Sequence, residues 1–216
     1  IMSLRTIGFF GGTFDPVHCG HLQMALAAKK HLKLDEVRLL PCHQPPHRAS
    51  PQLTSQQRLL LLRLAVQGVD GLLIDDRELR RDKLSWTVDT LKDCRKEFGD
   101  ELSITLLMGV DAYNGLQQWY EWQQLPKLAH IGVLQRPEYT MPKMGVLANW
   151  LERSSAANIH RQPAGTVIAL EQPQLPWSAT KIREQLALGV QPKGLPESVF
   201  NYIVAHQLYG FTEKKN

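Results

Sequence analysis

Short apolar runs alternate with longer amphipathic stretches along nearly the whole chain, and this alternation limits the fold more than any other feature. Residues 5–10 form an apolar run closed by Gly11-Gly12, which reads as a buried strand and a turn. Residues 20–32 then separate Leu22, Leu26 and Ala27 from polar positions such as Lys30, as a helix with one buried face does. A second strand over 36–40 is closed by Pro41. Thr54-Ser55-Gln56-Gln57 has the form of a capping box ahead of a leucine-rich helix over 54–69. Further strands are predicted at 72–74, 102–108, 130–134 and 167–170, with helices at 87–98 and 144–153. Two helices near 180–188 and 198–206 close the chain. Strands separated by helices bury themselves best as a parallel sheet covered on both faces. The expected architecture is one α/β domain over residues 1–216, a doubly wound parallel sheet with a small helical C-terminal part from about residue 178.

Composition narrows the class of partner without choosing it. With 43% hydrophobic and 21% charged residues, the 216-residue chain is ordinary for a soluble globular protein and excludes a wholly disordered one. No run approaches the ~18 consecutive apolar residues of a membrane span, and no secretory signal is expected from the N-terminal residues. Cys19, Cys42 and Cys94 are odd in number and unrelated in spacing, which suggests a reducing, cytoplasmic setting rather than a disulfide framework. Lys and Arg outnumber Asp and Glu by 25 to 21. That mild excess is compatible with RNA, anionic lipid or a phosphate-rich small ligand. Of the eight histidines, His18, His21, His31, His43 and His47 fall in the first quarter of the chain, but neither CxxC nor HExxH is present, so no metal site is expected.

In open parallel sheets, ligands bind beyond the carboxyl ends of the strands. The first strand runs into Gly11-Gly12-Thr13-Phe14-Asp15-Pro16-Val17-His18-Cys19-Gly20-His21. This is neither GxGxxG nor GxxxxGK[ST], but its physics is similar. Two glycines let the backbone pass close to a phosphate, Asp15-Pro16 makes a tight turn, and a helix N-terminus follows. His18 and His21 are spaced to project to the same side of a first helical turn. There they could donate hydrogen bonds to phosphate oxygens as charge builds in a transition state. The bland alternative is a glycine-rich turn carrying two surface histidines. Near the C-terminus, Ser178 is a credible helix N-cap with Arg183 one turn on.

The segment Gly11–Pro16 followed by His18-Cys19-Gly20-His21 resembles the (H/T)xGH signature of the nucleotidyltransferase superfamily. Ser178-Ala179-Thr180-Lys181-Ile182-Arg183 resembles its second signature. Within that superfamily, Pro41-Cys42-His43-Gln44-Pro45-Pro46-His47-Arg48 is similar to the PxxxPPH[KR] segment of bacterial nicotinate-nucleotide adenylyltransferases. Ser85-Trp86-Thr87 resembles their SYT element with Trp in place of Tyr. Gly109-Val110-Asp111, Trp119-Tyr120-Glu121 and Arg136-Pro137 match further motifs in the right order. The segment around 141–161 carries no matching motif.

The resemblance implies a Rossmann-like fold and transfer of AMP from ATP to nicotinate mononucleotide, releasing nicotinate adenine dinucleotide and pyrophosphate. On that reading His18 and His21 contact the ATP phosphates, with His21 nearest the reacting one. Arg48, with His47, helps neutralise the approaching phosphates. Ser178, Thr180 and Arg183 hold the departing pyrophosphate. Gly11, Gly12, Thr13 and Phe14 line the nucleotide pocket, Gly109 lets the adenosine approach, and Asp111 accepts from ribose hydroxyls. Trp119 stacks on the pyridine ring, while main-chain N–H groups at Thr87 and Tyr120 read its carboxylate beside Ser85, Trp86 and Arg136. Mg²⁺ enters bound to ATP. No nucleic acid or membrane is expected as partner, and the oligomeric state cannot be read. The rivals are a pantetheine-phosphate or flavin-nucleotide adenylyltransferase and a non-catalytic nucleotide-binding sensor. The other basic residues, Arg77, Arg80, Arg81 and Lys83, read as solvated surface, and His31, His130, His160 and His206 as ordinary surface or core histidines.

Overall fold

A computed structural model describes residues 3–43, 49–81, 84–136, 138–172 and 174–212. Six strands, β1 (Thr6–Gly12), β2 (Glu36–Pro41), β3 (Leu72–Ile74), β4 (Ser103–Gly109), β5 (His130–Leu134) and β6 (Val167–Leu170), form one sheet in the order β3-β2-β1-β4-β5-β6. Every neighbouring pair is parallel. The order therefore reverses between β1 and β4, where crossovers leave the sheet in opposite directions and open a crevice at its carboxyl edge.

Alternation along the strands sends side chains to two separate cores. Ile7 and Phe9 of β1 join Ile104 and Leu106 of β4 on one face, under α3 (Thr87–Phe98). Phe10 points the other way, to Val37 and Leu39 of β2 and to α1 (Cys19–Leu32) and α2 (Ser55–Val66). Because β-strand side chains alternate with a period of two, one buried strand supplies both faces of a covered sheet. Two short helices, α4 (Val110–Asn114) and α5 (Leu125–Leu128), lie between β4 and β5, and α6 (Gly145–Glu152) precedes β6. The chain closes with α7 (Ala179–Ala187) and α8 (Glu197–Ala205). Val199 and Ile203 of α8 are fully buried in the same cluster as Leu61 and Leu62 of α2.

The local signals acted as expected at most boundaries. Thr54 caps α2: its hydroxyl accepts the Gln57 amide at 3.2 Å, and the Gln57 side chain accepts the Thr54 amide at 3.0 Å. The α2 helix stops at Val66, short of the expected 69. Ser178 caps α7 by accepting the Lys181 amide at 3.2 Å. Among the described residues, no helix is long and apolar enough to cross a membrane.

Candidate active site

The β1–α1 connection occupies the crevice at the switch point. His18 is the N-cap of α1, and its ring stacks on that of His21 with centroids 3.7 Å apart. The His18 backbone N–H donates to Nδ1 of His21 at 3.1 Å. A neutral His21 that accepts at Nδ1 must carry its proton on Nε2, so the outward nitrogen is a donor. Burial lowers the pKa of both rings: His18 to about 4, and His21 well below the usual value with help from His18 and the Arg136 charge. Both imidazoles are therefore neutral at pH 7.

Gly20 explains the spacing of the histidine motif. A Cβ built there would lie 2.8 Å from His18 Nδ1, closer than a real contact permits, so the ring can lie against the helix only over glycine. His18 Nδ1 is buried without a hydrogen-bond partner among the described residues. Two main-chain donors of the first turn are engaged, the Cys19 amide by the Gly194 carbonyl at 2.8 Å and the His21 amide by the His18 carbonyl at 3.0 Å. Burial also pushes the Cys19 and Cys42 thiols up, leaving little reactive thiolate.

The glycine-rich turn is held from behind. Gly11 is exposed at the end of β1, and a Cβ on Gly12 would press on the Phe14 ring at 3.0 Å. Phe14 is buried with φ 51°, its ring edge-on to His21 at 4.9 Å. The Thr13 carbonyl is taken by Arg58 Nη1 at 2.6 Å, a partner that sequence reasoning missed. Asp15 accepts the Gln52 amide at 2.8 Å and the Tyr209 hydroxyl at 2.6 Å. From α7, Arg183 Nη1 donates to the Asp15 carbonyl at 2.7 Å and Nη2 to the Thr180 hydroxyl at 3.4 Å. The second motif is therefore fastened to the first.

At the end of β4, Asp111 stands in the first turn of α4 with its carboxylate folded toward Gly109. A Cβ on Gly109 would meet Asp111 Oδ1 at 2.5 Å and lie 3.7 Å from Arg136 Nε, which places Arg136 over the same strand end. The electrostatic influence of Arg136 reaches His21. His18, His21, Gly109, Asp111, Arg136 and Arg183 thus converge around the switch point. His47 and Arg48 lie outside the described residues, as do Pro137 and Lys83.

Aromatic residues form a second cluster at the same edge. Trp86, the N-cap of α3, faces Tyr120 with ring centroids 5.4 Å apart. Ser85 is buried with no hydrogen-bond partner for its hydroxyl among the described residues, and Thr87 begins the helix. Arg81, Leu84, Trp86, Asp89, Asp93 and Tyr120 line a cavity of about 640 Å³. Trp119 is half-buried and packs against the core beneath α3, so the exposed ring opposite Trp86 belongs to Tyr120. The expectation of solvated arginines needs correction at two positions. Arg77 pairs with Asp75 at 2.7 Å and Glu97 at 2.9 Å with its side chain almost covered, and Arg81 is held by Asp93 and the Thr90 hydroxyl. Arg80, on Asp76, is the exposed one. His130 is a core histidine, bonded to the Gln162 carbonyl and the Thr166 amide.

A family model described as cytidylyltransferase-like matches residues 9–185. The probable nicotinate-nucleotide adenylyltransferase of Pseudomonas entomophila (strain L48) is 45% identical over 96% of this chain and 96% of that relative. The corresponding protein of Cellvibrio japonicus (strain Ueda107) is 42% identical, covering 94% and 98%. This chain belongs to the nicotinate-nucleotide adenylyltransferase family. Its architecture agrees with the solved nicotinic acid mononucleotide adenylyltransferase of Plasmodium falciparum, at a TM-score of 0.72 over 96% of this chain and 98% of that one. At 15% identity that likeness concerns the fold. The motif residues quoted for the family from sequence fall, where described, at the carboxyl edge of the sheet, and Trp119, like Trp86, is half-buried against the core there.

Proposed function

We propose that this chain transfers the AMP group of ATP to nicotinate mononucleotide, giving nicotinate adenine dinucleotide and pyrophosphate, in NAD biosynthesis. The observation that carries the reading is the stacked His18–His21 pair at the switch point, with the His21 outward nitrogen fixed as a donor. Family relatives bear the corresponding name, and the P. falciparum structures are complexes with NaAD and with APC.

The acceptor phosphate is already ionised, so the reaction needs no general base. Direct in-line attack on the α-phosphorus requires placement and charge stabilisation, with no covalent enzyme intermediate. His21 Nε2–H donates to an α-phosphate oxygen, and His18 adds a second contact. Arg183, with Ser178 and Thr180, holds the departing phosphates, and Arg48 and His47 neutralise the incoming ones. Gly11, Gly12, Thr13 and Phe14 form the nucleotide wall, with Gly109 and Asp111 under the ribose. Trp119 stacks on the pyridine ring beside Trp86, Ser85 and Arg136, and the amides of Thr87 and Tyr120 read its carboxylate. Mg²⁺ would enter bound to the triphosphate. Held by phosphate oxygens and water, that ion would offset phosphate charge.

We also propose a single domain spanning 1–216 and a reducing, cytoplasmic setting. The core shared by α2 and α8 and the free thiols of Cys19, Cys42 and Cys94 support these readings. The test offers ATP with nicotinate mononucleotide, nicotinamide mononucleotide or phosphopantetheine and follows pyrophosphate. The expected result is fastest release with the first. Preference for either of the others overturns the specificity, and ATP binding without release to any of them favours the nucleotide-sensor alternative.

A further inference from the structure

Arg58 is 1% exposed, one of the largest fully buried side chains in the protein, and it lies outside every motif assigned above. It stands in the first turns of α2. One arm of its guanidinium, Nη1, donates to the Thr13 carbonyl at 2.6 Å. The other, Nη2, donates to the His43 carbonyl at 2.9 Å and meets the Ser55 hydroxyl at 3.3 Å. Ser55 also contacts His43 Nδ1 at 3.0 Å, so the three side chains form one network. Among the described residues no carboxylate lies within ion-pair distance of Arg58. A buried cation without a counter-ion is a poor way to stabilise a fold, since an apolar side chain would fill the space without the desolvation cost. Its planar fork does what an apolar chain cannot, fixing two carbonyls from two different strand ends at one separation.

We infer that Arg58 is a positioning residue for the transfer reaction, holding the β1–α1 turn in register with the end of β2 so that Phe14 presses His21 into place. The inference rests on the transferase reading proposed above. Thr13 precedes Phe14, whose ring meets His21 edge-on at 4.9 Å. Two residues on, Asp15 is tied to the same side of the molecule through the Gln52 and Leu53 amides. The turn is thus splinted to the entry of α2 at two points, as acceptor through Thr13 and through Asp15. Arg58 acts from behind the turn and touches no reacting atom.

The test compares wild type with Arg58→Lys and Arg58→Met. Lysine keeps the charge but can reach only one carbonyl at a time; methionine removes both functions. Misplacing a reacting group by an ångström costs on the order of 10–100-fold in rate. Arg58→Lys is therefore expected to lower kcat by about that factor, with KM for ATP changed less than about threefold, because binding contacts remain. Amide hydrogen exchange at residues 12–14 and 42–43 should quicken by at least about tenfold, with β5 and the middle of α3 unchanged. Arg58→Met should be slower still in turnover. If it does not fold, Arg58→Lys alone decides. A Lys variant whose kcat per folded molecule stays within about twofold of wild type, or whose exchange at 12–14 is unaltered, overturns the inference. A lowered thermal midpoint with normal turnover would assign Arg58 to stability alone and overturn it equally. The exchange result is read without any substrate, so it stands apart from a failure of the transferase reading, which wild-type pyrophosphate release reveals.

Discussion

His18 and His21 are neutral at pH 7 because burial withholds water from the charged form, yet they face the place where a triphosphate would lie. Phosphate anions raise the pKa of a neighbouring imidazole. ATP binding near pH 6 should therefore take up protons, visible as a dependence of the calorimetric enthalpy on buffer ionisation. Proton release from the pair would contradict its neutrality. The same burial links stability to pH. His18 titrates near its ordinary value when unfolded and at about 4 when folded, so the unfolded chain binds more protons in between. Its contribution, on the order of 3 kcal/mol, is whole above pH 6.5 and is lost as pH falls toward 4. His18→Gln should flatten the pH dependence of the denaturation midpoint across that window. Gly20→Ala tests the geometry more gently. The added methyl displaces the His18 ring, so turnover should drop at least tenfold with little change in thermal midpoint.

At the scale of elements, most of the architecture was legible because each helix and strand carried its own local signal. The Thr54–Gln57 capping box marked the start of α2, and Gly11-Gly12 the end of β1. Helix α4 left no periodic trace, since five residues are too few to show one. Arg58 was illegible for a related reason: inside a leucine-rich helix it reads as the polar face, and only the approach of Thr13, 45 positions earlier, makes it a buried anchor. Arg77 reads as solvated surface in the sequence because its acidic neighbours there say nothing of Glu97 on α3. Glu78 is buried, accepts the Thr90 hydroxyl of α3 at 2.8 Å, and has its pKa raised by burial to about 7. A carboxyl with a raised folded pKa favours the fold below the unfolded value and loses that advantage as pH climbs through 7. Glu78→Gln should therefore gain in thermal midpoint over wild type at pH 8, and the gap should narrow as pH falls to 5. A gap that widens on acidification would contradict the assignment.

Across the whole molecule, the second signature and the C-terminal segment meet the first on one residue. Asp15 accepts Tyr209 through its carboxylate and Arg183 through its carbonyl, from 194 and 168 positions away. Ser178 and Arg183 could be found as a motif, but the attachment of Arg183 to Asp15 has no signal in the sequence, because nothing local specifies a contact at that distance. The Tyr209 hydroxyl is buried, and burial together with the Asp15 bond raises its pKa. Tyr209→Phe leaves a buried carboxylate with one partner fewer, which should cost about 2 kcal/mol in chemical denaturation. Its effect on KM should be small. A neutral variant would mean that the C-terminal turn does not brace the site.

The central claim is that the His18–His21 pair stabilises the transition state of adenylyl transfer rather than building the fold or gripping the ground state. Steady-state turnover of His21→Ala with ATP and nicotinate mononucleotide, measured beside ATP affinity and thermal midpoint, tests it most directly. Removing one preorganised donor to developing phosphate charge should lower kcat by about 100-fold or more, with ATP affinity within about tenfold and the fold intact. Turnover near that of wild type in the folded His21→Ala protein would contradict the account.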